Sequence, residues 1–354
     1  MSIDKPIFDG LADPVVLLDR ARTVVYANSA ARELLECRPE GDDLAMSIRH
    51  PVVLDTIDRV LSGASVHTAE INLPVPVART FQLHAARVAP DHAADGDSRA
   101  VVAVVMFRDM TTAVRAEQMR VDFVNNASHE LRSPLTAILG FIETLKGPAS
   151  ADPEARERFL GIMSREATRM RRVIEDLLSL SMVEANEHVR PRDRVDVAQV
   201  VGGVIDILEA RAGDREMTMQ LEAVDDLPTV IGDENQLTQV FRNLVENAII
   251  YGREGTPVEI SIAAAERLPE TGRAGVVVAI RDRGMGIPKE VIPRLTERFY
   301  RGDEARSPAK FGNPNSTGLG LAIVKHIVNR HRGRLQIDSE LEAGSTFSVY
   351  LPSE

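Results

Sequence analysis

His129 combines a candidate nucleophile with a neighbouring acid. Glu130 follows it directly, and Ser133 lies about one helical turn further along the chain. A neutral imidazole nitrogen can act as a nucleophile, and an adjacent carboxylate can orient the ring and take its proton. A lone histidine on a helix is usually an ordinary surface residue, so these residues alone leave both a structural coiled coil and a reactive histidine open.

Asn243 and Asn247 form a second candidate site. Their spacing of four residues puts both amides on the same face of a helix. An amide oxygen is a neutral hard ligand, suited to a Mg²⁺ ion that keeps some waters and also holds phosphate oxygens. Taken singly, such a pair is usually surface hydrogen bonding, so its meaning depends on the motifs that follow.

Asp282 opens a glycine-rich motif directly after a strand-like run. Its carboxylate can accept a hydrogen bond from the exocyclic amine of a ligand, and Gly284 and Gly286 permit close backbone approach. A second glycine motif, residues 317–321, leads into a helix, whose free N–H groups and positive dipole end favour phosphate. A last turn, residues 344–347, leads into a strand. Each motif is weak alone, but their order forms a strong combined signal.

The composition excludes several classes of protein. A net charge of −11 disfavours a general binder of nucleic acid or of anionic membranes. The single cysteine, Cys37, excludes an internal disulfide framework and suits a reducing compartment, so we expect a cytoplasmic chain. The purely apolar runs are far shorter than the roughly 18–20 residues of a membrane span, so we expect a chain that is soluble as given and has no such span.

Residues 111–187 are expected to form a helical hairpin. Apolar side chains recur at alternating steps of three and four residues on both sides of His129, which predicts a heptad seam along one helix. Pro134 lies inside this pattern and should bend the helix beside the histidine. A second apolar stripe begins after Asp152 and Pro153, a good helix start. One hairpin cannot bury both stripes, so we predict a homodimer with an antiparallel four-helix bundle.

The flanking segments predict two further domains. Residues 1–110 are expected to form an α+β domain, and residues 188–354 an α/β sandwich with helices on one face of a mixed sheet. The strands expected are residues 15–18, 23–26, 68–75, 79–88, 100–108, 217–223, 258–264, 276–282, 335–339 and 346–351. The helices expected beside the hairpin are residues 28–35, 51–61, 196–212, 233–248 and 317–332.

From about Met119 onward the chain resembles a sensor histidine kinase of a bacterial two-component system. The segments that carry the likeness are SHELRSPLTAILGF, FRNLVENAIIYG, DRGMGIP, RFYR, TGLGLAIVKHIV and GSTF. Residues 1–110 resemble a PAS sensor domain through VVLLD, YANSAARELL and FRDMT. Within the family, a single PAS domain ahead of the histidine motif is most similar to the phosphate-regulon type. Since neither the Walker lysine loop nor the protein-kinase motif set is present, the resemblance implies a Bergerat-type (GHKL) ATP site.

The resemblance also implies a reaction and its partners. His129 would be phosphorylated from ATP with Glu130 as the base, and the phosphoryl group would pass to an aspartate of a separate response regulator. Ser133 would act in dephosphorylating that regulator, and Asn247 would hold Mg²⁺. The residues that the resemblance assigns to ATP are Asn243, Asn247, Tyr251, Asp282, Gly284, Gly286, Ile287, Arg301, Thr317, Gly318, Leu319, Gly320, Leu321 and Thr346.

Within this set the expected contacts are specific. Asp282 would bind the adenine amine, Tyr251 would pack on the ring, and the backbone of residues 318–320 would donate to the phosphates. Residues 301–316 have no apolar periodicity and are expected to form a mobile lid over the nucleotide.

Two positions depart from the family pattern. Ser133 stands where the family commonly has Thr or Asn, so phosphatase activity would rest on a hydroxyl without the methyl group that fixes its rotamer. Ile250 stands where a basic residue usually helps to bind phosphates, and Arg253, Arg301 or Lys310 are candidates to compensate. A degenerate kinase that acts as a dimeric scaffold or only as a phosphatase is therefore an alternative. An ATP-driven clamp of the gyrase and MutL kind is another.

Overall fold

The computed structural model describes residues 5–35, 39–73, 78–88, 101–147, 152–187, 189–224, 226–269, 272–301 and 317–353. The contacts divide the chain into two compact units, Met1–Asp122 and Phe123–Glu354. In the described part of the chain, no helix combines the length and the apolar character needed to cross a membrane.

The first unit is an α+β domain. Its strands are β1 (Val15–Leu18), β2 (Val24–Ala27), β3 (Val66–Leu73), β4 (Arg79–Arg87) and β5 (Ala103–Asp109), and its helices are α1 (Ser29–Leu35), α2 (Leu44–Ser47) and α3 (Pro51–Leu61). The strands form one antiparallel sheet in the order β2-β1-β5-β4-β3. This is the expected sequence of elements, with the short helix α2 and a 3₁₀ helix, Lys5–Gly10, added.

The core of this unit follows from the alternation of its strands. In β4, Phe81, Leu83 and Ala85 are buried, and the residues between them are not. α3 begins with proline at its first position, where the missing N–H costs nothing, and buries Val53 and Ile57 in the same cluster. The helix and the alternating strands therefore share one apolar core.

Two long helices follow, α4 (Thr111–Lys146) and α5 (Pro153–Ala185). The Asp152 carboxylate accepts hydrogen bonds from the N–H groups of Glu154 and Ala155, both at 3.0 Å, which fixes the start of α5. α4 is one continuous helix through Pro134, so the bend expected there remains a prediction. Exposed apolar side chains lie along both helices: Val124, Leu135, Leu139, Leu160, Ile174, Leu178 and Met182.

The remaining elements form the α/β sandwich. Its helices are α6 (Val197–Gly213), α7 (Glu234–Tyr251) and α8 (Gly320–Arg330). Its strands are β6 (Asp193–Val195), β7 (Met219–Ala223), β8 (Val230–Gly232), β9 (Val258–Ala265), β10 (Gly275–Asp282), β11 (Arg334–Glu340) and β12 (Gly344–Pro352). The main sheet has the order β11-β12-β10-β9-β7 and is mixed, because β7 runs parallel to β9 and the other pairs are antiparallel.

One face of this sheet carries the three helices. Alternate residues of β9, β10 and β12 are buried in the cluster that also holds the apolar faces of α6, α7 and α8. The expected helix layer on a mixed sheet is confirmed. The small ladder of β6 and β8 was not expected, because strands of three residues are too short to show a period of two.

Candidate functional site

A cavity of about 960 Å³ lies between the helix layer and the loops that follow β10. Its walls come from α7, from the loop between β10 and α8, from the start of α8, from β12 and from α5. The residues assigned to ATP from the sequence that line it are Asn243, Asn247, Tyr251, Asp282, Gly286, Ile287, Arg301, Thr317, Gly318, Gly320 and Leu321. A volume of this size can hold a nucleotide.

Asn243 and Asn247 face this cavity because the opposite face of α7 is apolar. Phe241, Leu244 and Val245 are fully buried in the core, which fixes the rotation of the helix. The amide nitrogen of Asn243 donates to the carbonyl oxygen of Gly320 at 3.3 Å. Since that nitrogen contacts protein, the amide oxygen is the atom left to face a ligand.

A magnesium ion fits this donor set. In the described part of the chain, no group of three or more His, Cys, Asp or Glu side chains could hold a metal ion. Two neutral amide oxygens at the phosphate end of a cavity suit a cation that is bound together with phosphates and waters rather than by the protein alone.

Asp282 sits at the end of β10, between β9 and β12, and is only 4% exposed. The N–H of Gly284 donates to its Oδ1 atom at 2.8 Å. Burial raises the pKa of this carboxyl, against the lowering effect of the N–H groups of Gly284 and Ser345. A buried acceptor of this kind, aimed into the cavity, is suited to an amine donor.

The glycines around Asp282 are required by close contacts. A Cβ atom on Gly284 would lie 2.3 Å from the carbonyl oxygen of Tyr251, and one on Gly286 would lie 2.0 Å from that of Glu340. Gly286 also has a φ of +70°, which side chains disfavour. Gly284 does not line the cavity itself. It lets the loop fold closely against α7.

The second glycine motif meets the cavity at the start of α8. Gly318 has a φ of +70° and packs directly on the backbone of Phe299. Leu319 differs from the expectation, because its side chain is fully buried in the core and its N–H donates to the Thr317 hydroxyl at 3.3 Å. The N–H of Leu319 is therefore engaged within the protein, and Gly318 and Gly320 present the backbone to the cavity.

The expectation for Thr346 needs correction. Ser345 and Phe347 line the cavity, whereas Thr346 does not. Successive side chains of a strand point to opposite faces. In β12, Ser345 and Phe347 therefore point toward the cavity and Thr346 points away from it. Ser345, which the alternation of the strand would have indicated, takes the place expected of Thr346.

The basic residues near the cavity are only partly those expected. Arg301 lines it, but Arg253 lies outside and faces Glu342 at 3.9 Å. Lys310 and residues 302–316, expected to be a lid, lie outside the described residues. Sequence reasoning missed five arginines that line the cavity, namely Arg171, Arg172, Arg215, Arg242 and Arg294. Arg242 precedes Asn243, and its position on α7 is a signal that could have identified it.

His129 lies in a separate shallow groove. That groove is lined by His129, Arg132, Ser133, Thr136 and Ala137, all of them residues of α4. Ser133 is exposed and lines the same groove as His129. None of the described residues that line the larger cavity belongs to α4. The fold therefore gathers the nucleotide residues but does not bring His129 to them.

Glu130 is held by two arginines. Its Oε2 atom accepts hydrogen bonds from Arg169 at 3.0 Å and from Arg301 at 2.9 Å. Arg301 also lines the large cavity, so Glu130 contacts the edge of the nucleotide site while His129 is exposed. In this arrangement the carboxylate expected to act as a base is engaged by cations.

Comparisons with known proteins agree with this geometry. Residues 232–354 match the family described as histidine kinase-, DNA gyrase B- and HSP90-like ATPase, residues 119–186 match the His Kinase A (phospho-acceptor) domain, and residues 5–68 match a PAS domain.

Three curated relatives cover nearly the whole chain. The phosphate regulon sensor protein PhoR of Pseudomonas aeruginosa is 34% identical over 96% of this chain and 72% of its own length. The sensor-like histidine kinase SenX3 of Mycobacterium tuberculosis is 34% identical over 95% of this chain and 77% of its own length. The sensor histidine kinase WalK of Bacillus subtilis is 30% identical over 97% of this chain and 54% of its own length.

Among solved structures, the histidine kinase ThkA in complex with the response regulator protein TrrA matches 99% of this chain and 99% of its own. The TM-score is 0.50 and the identity 18%, so this likeness concerns the fold alone.

Proposed function

The chain belongs to the sensor histidine kinase family, and on that premise we propose that it phosphorylates its own His129 from ATP. The phosphoryl group then passes to an aspartate of a separate response regulator. The observation that carries this proposal is the cavity in which Asn243, Asn247 and Asp282 meet the two glycine motifs, in the same folding unit as an exposed His129.

The two ends of the cavity bind different parts of ATP. At one end, buried Asp282 accepts a hydrogen bond from the adenine amine, and Tyr251, which also lines the cavity, packs against the ring. At the other end, Gly318 and Gly320 let backbone N–H groups at the start of α8 approach the phosphates. These contacts orient the nucleotide so that its γ-phosphate is positioned for transfer.

Asn247, with Asn243 beside it, would hold magnesium at the phosphate end. When bound, Mg²⁺ neutralises charge on the phosphates. The amide oxygens of Asn243 and Asn247 are the atoms that would hold it, and Arg242 and Arg301 add positive charge along the same wall. Ile250 also lines the cavity, so these arginines supply the positive charge that the family usually has at this position and that this chain lacks.

The transfer step uses the neutral imidazole of His129. A nitrogen–phosphorus bond forms, the bond between the γ-phosphorus and the bridging oxygen breaks, and ADP leaves with the electron pair. Glu130 takes the ring proton, for which it must first leave Arg169 and Arg301. Since His129 lies away from the cavity, the ATPase portion has to move relative to α4 before the step.

The three domains divide this work. We assign residues 1–110 to a PAS-like sensor domain, residues 111–187 to a dimerisation and phosphotransfer hairpin, and residues 188–354 to the catalytic ATP-binding domain. The exposed apolar residues of α4 and α5 support a homodimer in which two hairpins form a four-helix bundle. The catalytic domain acts in the cytoplasm, where ATP and the regulator are found. Neither nucleic acid nor a membrane surface is needed as a partner for it.

Labelling with γ-labelled ATP and Mg²⁺ tests this function. The wild-type chain should acquire an acid-labile, base-stable label, and His129→Gln should acquire none. His84→Gln is the matched control, because His84 is an exposed histidine of β4 in the other unit, and it should label like wild type. ATP binding without any label in the wild type would instead favour the scaffold or phosphatase alternative.

A further inference from the structure

Asp176 of α5 forms a hydrogen bond with a hydroxyl group at the phosphate end of the cavity. Its Oδ2 atom accepts a hydrogen bond from the Thr317 hydroxyl at 2.8 Å. Thr317 is 6% exposed, lines the cavity and directly precedes Gly318, where the phosphates are expected. A carboxylate of the hairpin thus holds a donor that lies beside the nucleotide.

Asp176 also brings charge into the cavity. It lines the wall itself, together with Arg172 and Arg242. Burial raises the pKa of Asp176, and the hydroxyl of Thr317 and the two arginines oppose that shift. A negative charge beside a triphosphate repels it, and it also competes for the cations that would otherwise bind the phosphates.

Asp176 is one of several residues on the face of α5 that packs against the ATPase domain. Ser179 donates to the side chain of Gln239 at 2.9 Å, and Glu184 accepts from Arg298 at 2.5 Å. Leu180 and Val183, between them, are buried in the ATPase core. The spacing of these residues puts them on one side of the helix, so Asp176 reaches Thr317 only while this whole face is docked.

We propose that Asp176 is an inhibitory residue: while α5 is docked, its carboxylate competes with the phosphates of ATP for Thr317 and Arg242. This rests on the proposed function, because it concerns the same nucleotide site. ATP affinity is then low in the docked arrangement, in which His129 lies away from the cavity. Release of the α5 face removes the competitor and frees the ATPase domain to move, so nucleotide binding and transfer become possible together.

The affinity of the full chain for a non-hydrolysable ATP analogue with Mg²⁺ tests this inference. Asp176→Asn keeps the shape of the side chain and removes its charge, and it should tighten binding about tenfold. Glu157→Gln is the control, because Glu157 is an exposed carboxylate on the same helix, about 28 Å further toward its start. It should change affinity less than twofold. Unchanged or weaker binding by Asp176→Asn would overturn the proposal.

A double-mutant cycle tests the contact with Thr317 itself. In a Thr317→Val background, Asp176→Ala, which unlike the Asn variant cannot accept the hydroxyl, should tighten binding by less than in the wild type, because the contact with the hydroxyl is already gone. An equal gain in both backgrounds would show that the hydrogen bond is not the cause, and it would overturn the competition for Thr317.

Glu184→Gln, a substitution outside the cavity, also tests whether docking of α5 lowers the affinity for ATP. It weakens the ion pair with Arg298 and so loosens the docked face, and it should tighten the analogue at least threefold. Weaker binding would mean that α5 helps to hold the nucleotide, and the inference would fail. These affinities do not depend on labelling of His129. A chain that never labels but binds as described would contradict the proposed function and retain this inference.

Discussion

The backbone N–H of Asp233 donates to the Nε2 atom of His331 at 2.9 Å. Nε2 must therefore be unprotonated, and the Nδ1–H donates to the carbonyl oxygen of Ile327 at 2.8 Å. Asp233 precedes α7 and caps it, whereas His331 follows α8. One neutral imidazole thus joins the helix that carries the asparagine pair to the helix that begins at the second glycine motif.

Acid should destabilise the protein through His331. Burial lowers the pKa of His331 below 6.5, with Arg330 and Arg190 acting in the same direction, while the hydrogen bond to Ile327 and the charge of Asp233 oppose the shift. The unfolded chain then binds more protons below pH 6.5, so stability is full above that pH and falls as the pH drops toward the lowered pKa. One proton accounts for at most about 1.4 kcal/mol per pH unit.

Urea unfolding between pH 7.5 and 5.5 measures this effect. In His331→Gln, an amide oxygen can accept the same N–H without titrating, so stability should depend less on pH than in wild type. His84→Gln, which removes an exposed histidine of β4, should leave the pH dependence as it is. Equal pH dependence in wild type and His331→Gln would refute the role given to this ring.

Gly286 should be far less tolerant of alanine than Gly255, although both have a positive φ. Gly286→Ala would place its Cβ atom 2.0 Å from the carbonyl oxygen of Glu340, whereas nothing lies within 4 Å of the same atom at Gly255. The backbone conformation costs about 1–2 kcal/mol at either position. The clash should raise the cost at Gly286 to roughly 3 kcal/mol or more and weaken ATP binding as well. Similar unfolding free energies for the two variants would argue against a tight loop.

Sequence periodicity identified the long elements and failed for the short ones. Both ends of α6 and α7 fall close to those predicted, because each helix repeats its apolar residues over several turns. β8 has three residues and α2 has four, which is too few to show any period. Both are stabilised by tertiary contacts that a sequence does not display.

The same limit applies to the site. Asn243, Asn247 and Asp282 were identified because their partners lie nearby in sequence. Asp176 and Thr317 are 141 positions apart, and only the packing of α5 on the ATPase domain brings them together. At Thr346 a shift of one residue was enough to choose the wrong face of a strand.

Asp282→Asn should weaken ATP binding and raise the stability of the nucleotide-free chain. A charge-assisted hydrogen bond to the adenine amine is worth about 1.5–3 kcal/mol, so the variant should bind ATP roughly 10- to 150-fold more weakly. Because burial raises the pKa of Asp282, its charged form costs stability as the pH rises through that pKa. At pH 7 the neutral amide should therefore raise the melting temperature of the nucleotide-free chain.

Titration separates the two effects of Asp282. Wild-type affinity for ATP should fall as the pH is lowered, beginning above the ordinary carboxyl pKa of 3.8, whereas Asp282→Asn should not show that step. Asp338→Asn, on strand β11, is the control and should follow wild type. A variant that binds ATP normally, or melts below wild type, would contradict the proposed acceptor.

Ser133 should be needed to remove phosphate from the regulator. It is exposed in the groove of His129, where its hydroxyl can orient a water molecule. Thr136 lines the same groove, but its hydroxyl donates to the carbonyl oxygen of Arg132 at 2.9 Å. We expect Ser133→Ala to slow loss of label from a phosphorylated regulator at least tenfold, with Thr136→Ala close to wild type and His129 labelling retained in both. Full-rate dephosphorylation by Ser133→Ala would remove this role.

The exposed apolar face of the hairpin should hold two chains together. Leu178 of α5 is 60% exposed in the single chain, and burying such a side chain is worth about 1.5–3 kcal/mol, counted twice in a symmetric dimer. Leu178→Glu would place two carboxylates in that interface, and the chain should then sediment as a monomer at micromolar concentration. Ile207→Glu is the matched control, because Ile207 is 68% exposed on α6, outside the hairpin. Ile207→Glu should sediment as a dimer, like wild type. If the wild type is a monomer, or if both variants dissociate alike, α4 and α5 do not form the bundle.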